Sequence, residues 1–138
     1  MSTILVNTLT GTSTAGSIAV TGEGNSTTTS LQSGLTKAWV NFNGSGNVAI
    51  RDSYNVSSLA DSDVGIYTLS WSNNFANDDY SNAGTAGQNS NALITVSCAI
   101  DTTAPTTSAS LYNTNYENGS SGRFDSNQVT IQVSGDLA

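Results

Sequence analysis

The chain has 138 residues, three basic and ten acidic side chains, a net charge of −7, no histidine and one cysteine, a length that fits one domain. Three cations cannot neutralise a row of phosphates, which excludes a nucleic-acid binder and argues against an anionic-lipid binder; without histidine, the usual zinc sites and His-based triads cannot be built. Charged residues are only 9 % and Ser, Thr, Asn and Gly make up about half the chain, so a modest core under a hydroxyl and amide surface is expected, as in a narrow β structure or a subunit of a tight oligomer.

Residues 1–34 lack a basic n-region and a continuous apolar stretch of signal-peptide length, so Met1 reads as the start of a cytoplasmically made protein. Short apolar patches at 4–9 and 18–20 sit in a Thr/Ser/Gly matrix without any aromatic. Such a segment cannot build its own core. It reads as an extended, β-prone arm, with Ile4, Leu5, Val6 and Leu9 as candidate anchoring residues; disorder is the other reading.

No window carries an i, i+3, i+4, i+7 apolar pattern, so the chain reads as all-β: an antiparallel β-sandwich over 35–138 behind the arm. A first hairpin joins 36–42 to 48–51 through Asn43-Gly44-Ser45-Gly46-Asn47. Its expected register pairs Phe42 with Val48 and Val40 with Ile50, and sets Trp39 opposite Arg51 for ring–guanidinium stacking. That pair reads as structural in preference to a ligand platform. A second hairpin joins 54–57 to 66–71 through a loop at 58–65, with Tyr67, Leu69 and Trp71 on one face. Strict alternation follows at Ala92, Ile94, Val96, Cys98 and Ile100, and again at Val129, Ile131 and Val133. Pro105 ends the former block. Residues 73–91 and 113–127 read as long loops.

Asp61, Ser62, Asp63 and the pair Asp78, Asp79 are the carboxylate clusters. Neither has the spacing of a known calcium loop, and both read as solvated turns; a paired-carboxylate hydrolase needs a cleft that nothing else supplies. Asp63-x-Gly65-x-Tyr67 reads as a turn entering a strand. Cys98 reads as a small buried hydrophobe; as a lone cysteine it makes no intrachain disulfide. Lys37 has the side chain for an isopeptide link but reads as a surface charge. Tyr80, Tyr112 and Tyr116 fall in the Asn-rich loops. With Asp78 and Asp79 they form the candidate receptor-facing set, since loops on a rigid β scaffold commonly carry binding. No catalytic residue, metal site or cofactor is expected.

Residues 37–46 (KAWVNFNGSG), 51–58 (RDSYNVSS), 65–69 (GIYTL) and the ending VTIQV followed by Gly135-Asp136 resemble segments of tail-fibre-like virion structural proteins of marine tailed bacteriophages. The likeness covers most of 34–71 and the last ten residues. It implies a non-enzymatic virion β-domain, commonly a homotrimer, with the arm towards the particle. The partners it implies are copies of the chain, other tail or capsid proteins, and a host-surface glycan or protein. A tail-fibre or appendage role comes first. A capsid decoration protein held to the head by its arm is the alternative, favoured by the short length.

Overall fold

The computed structural model describes residues 3–11, 17–24, 26–87, 93–98, 105–117 and 121–138. The chain divides into two units, residues 1–35 and 36–138. In the first, β1 (Ala19–Thr21) pairs antiparallel with β2 (Thr28–Ser30), and a single helical turn follows, α1 (Leu31–Gly34). Ser30 caps that turn, its side chain accepting from the Ser33 N–H, the preferred use of serine at a helix start. Sequence patterning gives no sign of the turn because four residues are too few for a period. Residues 3–6 lie outside any regular element, with Ile4 and Leu5 84 % and 90 % exposed and Val6 and Leu9 also exposed.

The second unit is an antiparallel β-sandwich. Its strands are β3 (Ala38–Asn43), β4 (Ala49–Tyr54), β5 (Val56–Asp63), β6 (Ile66–Trp71), β7 (Ser81–Ala86), β8 (Leu93–Cys98), β9 (Ala109–Glu117), β10 (Ser121–Arg123) and β11 (Val129–Ser134). One sheet runs β4-β3-β11-β7. In the other, β9 carries β8 along one edge, and its second edge is shared end to end by β6 and β10, with β5 outside β6. Ala38, Val40 and Phe42 of β3 and Val129, Ile131 and Val133 of β11 meet Tyr67, Leu69 and Trp71 of β6 and Tyr112 of β9 in one buried core. Phe42 and Tyr67 bridge the sheets edge to face, centroids 4.9 Å apart. The expected alternation of β6 and β11 is the alternation observed, and in β8 Thr95 and Ser97 point outward while Val96 and Cys98 are half-buried. Ala92 and Ile100 fall outside the described residues.

Several expectations are corrected. Phe42 pairs with Ile50, two residues on from the expected Val48, and Trp39 pairs with Tyr54 after a further one-residue register shift between Asn41 and Phe42. Arg51 is the extra residue of this bulge. Its guanidinium donates to Phe42 O (3.2 Å) and Asn127 O (2.5 Å), away from Trp39. The loop expected at 58–65 is a two-residue turn, Val64-Gly65, because β5 continues to Asp63. Asp61 and Asp63 therefore lie exposed on an outer strand, where charge discourages edge-to-edge pairing. The loops expected at 73–91 and 113–127 contain β7, β10 and most of β9's far half. Lys37 is buried, not a surface charge: its N–H donates to Val133 O (2.9 Å), which draws the residue in beside β11.

Candidate functional site

The candidate receptor-facing set does not form one surface. Asp78 and Asp79 are exposed in the connection between β6 and β7, where Asn77 Oδ1 accepts from the Asp79 N–H at 3.0 Å. Tyr80 and Tyr112, expected on loop surfaces, are buried. Tyr80 packs on Phe75 with centroids 4.5 Å apart and donates its hydroxyl to Thr106 O (3.0 Å). Tyr112 lies within β9, its hydroxyl donating to Asn82 Oδ1 at 2.5 Å. The physical reason is the same for both: a tyrosine ring fills core volume if its hydroxyl reaches an acceptor at the rim. Tyr116 sits on β9 opposite Gly122 and Ile94. Burial pushes the phenols of Tyr67, Tyr80 and Tyr112 up, and the Asp125 charge adds to the shift at Tyr67.

The densest polar cluster closes one end of the sandwich, and sequence reasoning missed its centre, Asp125. Asp125 Oδ1 accepts from the Gly65 N–H (2.6 Å) and from the Tyr67 hydroxyl (3.2 Å), which also lies 2.8 Å from Gly44 O. Thr114 bonds Gly65 O through its N–H (2.8 Å) and Phe124 O through its hydroxyl. Ser126 ties Gly44 to Gln128, its carbonyl accepting from the Gly44 N–H (2.8 Å) and its hydroxyl donating to Gln128 O (2.9 Å). Three turns from different parts of the chain are joined here. These donors and acceptors answer one another, so the cluster works as a polar latch and offers a ligand little. A lone Asp in an Asn/Ser/Gly stretch gives no sequence signal for it.

Among the described residues, no three His, Cys, Asp or Glu side chains gather around a possible metal position, and no helix is long and apolar enough to cross a membrane. Cys98 is half-buried, with Sγ 3.3 Å from Ser110 Oγ.

The outer face of the β4-β3-β11-β7 sheet differs from the latch. Register places Tyr54, Trp39, Gln132 and Ala83 in one row across four strands, and Asp52, Asn41, Thr130 and Thr85 in the next. Tyr54 is 55 % exposed. No hydrogen bond within the described residues engages the Tyr54 hydroxyl, the Trp39 indole N–H or the Gln132 amide, whereas Tyr67, Tyr80 and Tyr112 all spend their hydroxyls internally.

No family model matches the chain, and neither does any curated protein or solved structure.

Proposed function

We propose that the chain is a non-catalytic structural subunit of a bacteriophage virion, of tail-fibre or appendage type, that assembles with copies of itself and docks through its N-terminal segment. The observation that carries this reading is the run Ile4, Leu5, Val6 and Leu9, exposed in a unit separate from the sandwich. Apolar side chains concentrated in one short strip await a partner surface. The resemblance of the 37–46 and 51–58 segments to virion proteins gives that partner its class. A capsid decoration protein clamped to the head by the same strip is the second reading, favoured by the small size of the sandwich, too short for a long fibre.

Burying four such side chains against a partner is worth about 6 kcal/mol gross. Serine at all four positions is therefore expected to strip the protein from purified particles, while the sandwich melts at an unchanged temperature. Particle-bound protein is read by quantitative mass spectrometry after washing. Incorporation equal to the unaltered chain contradicts an anchoring role for this strip.

A further inference from the structure

We propose that the outer face of the β4-β3-β11-β7 sheet is a binding site for a neutral oligosaccharide, with Trp39 and Tyr54 as its platform. Trp39 and Tyr54 are direct cross-strand partners, so their Cβ atoms lie about 5 Å apart, close to the width of one pyranose ring. The C–H face of a pyranose is apolar and packs on an aromatic face, and its hydroxyls then need partners around the ring edge. The Tyr54 hydroxyl, the Trp39 indole N–H and the Gln132 amide stand in that row without a partner in the described fold. Asn41 and Asp52 follow in the adjacent row, with Asp52 exposed. A few placed polar groups around an apolar contact are what a small-molecule site requires.

The charge pattern chooses the sugar class. Of the two cations near the platform in sequence, Lys37 is buried and Arg51 turns its guanidinium to Phe42 O, Asn41 Oδ1 and Asn127 O. A chain of net charge −7 with Asp52 beside the platform repels sialylated or uronic-acid glycans. The site belongs to the sandwich alone; only the location of the glycan, on a host surface, rests on the virion reading.

The test uses the purified full chain and no particle, so its outcome is independent of whether the chain is found on virions. Oligosaccharides of glucose, galactose, mannose and N-acetylglucosamine are titrated, with sialylated and uronic-acid counterparts alongside. Trp71, the second tryptophan, is buried, so a saturable change in indole emission reports Trp39. The expected result is binding of at least one neutral oligosaccharide with a Kd tighter than about 1 mM. Trp39→Ala and Tyr54→Ala should each weaken it about tenfold, and Gln132→Ala about threefold, each Kd read by titration calorimetry because Trp39→Ala lacks the reporting indole. Amide shift mapping on the unaltered chain guards against a misfolded variant: perturbed resonances should centre on Trp39, Tyr54 and Gln132. Absence of saturable binding, binding confined to acidic glycans, shifts centred elsewhere, or an unchanged Kd in Trp39→Ala would each overturn the proposal. So would self-association of the chain through this face without sugar binding, read by sedimentation.

Discussion

Gly65→Ala is expected to lower the stability of the chain by about 4 kcal/mol, while Gly46→Ala, at about 1 kcal/mol, melts only slightly below the unaltered protein. Both glycines have positive φ, +62° and +67°, so both variants incur the left-handed backbone cost of about 1 kcal/mol. Their surroundings differ. Around Gly46 nothing lies within 4 Å of an added Cβ. At Gly65 the added carbon would stand 2.6 Å from Phe124 N and 2.7 Å from Thr114 O, both backbone atoms. Backbone cannot swing aside as a side-chain tip does. The β5–β6 turn must move away, which breaks the Gly65 N–H bond to Asp125 and the Thr114 N–H bond to Gly65 O. Overpacking and the lost latch together add about 3 kcal/mol or more, a large share of the total stability of about 5–15 kcal/mol available to such a domain. Urea midpoints of the two variants give the comparison. Equal midpoints would show that the contacts around Gly65 are not as described.

Stability should fall steeply in alkali, starting near pH 10. Tyr67, Tyr80 and Tyr112 are buried, and burial raises each phenol above its ordinary value, helped at Tyr67 by the Asp125 carboxylate. In the unfolded chain tyrosine ionises at about pH 10. The sign follows: above that pH the unfolded state gives up protons that the folded state keeps, so alkali favours unfolding. The stabilisation is complete below about pH 10 and disappears as the pH climbs towards the raised folded-state values. Each tyrosine contributes a slope of up to about 1.4 kcal/mol per pH unit, so three contribute about 4. Phenolate absorbance and circular dichroism recorded together should therefore change in one transition. Tyr112→Phe, which retains the ring, should make the slope shallower by about a third. Phenolates of these three residues forming before unfolding would contradict the burial that sets them apart.

These tyrosines also mark how far the sequence could be read. The all-β class and the inward faces of β6 and β11 were legible because Tyr67, Leu69, Trp71 and Val129, Ile131, Val133 alternate with polar residues. β9 was not, because its inward positions are Ser110, Tyr112 and Thr114. Two of the three are polar residues buried with their hydroxyls answered, by Cys98 Sγ and Phe124 O respectively. Period-two hydropathy cannot register such a strand. β7 hides for a related reason: its residues 82, 84 and 86 are Asn, Gly and Ala. A Cβ at Gly84 would come within 2.9 Å of the Val96 side chain. A small residue on one strand is matched there by a larger one on another, a pairing that no local window contains.

The register error at the first hairpin has two parts: next to the loop Phe42 meets Ile50, two residues on from the expected Val48, and the Arg51 bulge adds one residue more, so that Tyr54 arrives beside Trp39. The candidate site moved with it. Tyr80 and Tyr112, chosen for their Asn-rich neighbours, proved to be core residues, and Trp39, whose expected pairing with Arg51 read as structural, lies instead beside the exposed Tyr54 with its indole N–H unspent. Ile4, Leu5, Val6 and Leu9 are exposed, as expected in a segment too poor in apolar residues to bury them, and their anchoring role rests on the proposal above.

The most direct test of the account is to locate and count the protein on purified virus particles from the source of the sequence, by mass spectrometry and electron imaging that resolves 14 kDa subunits. The account predicts protein that survives washing, with the sandwich outward and residues 1–35 at the particle, in few copies at the tail for an appendage or in hundreds over the head for a decoration protein. Absence from washed particles would contradict it.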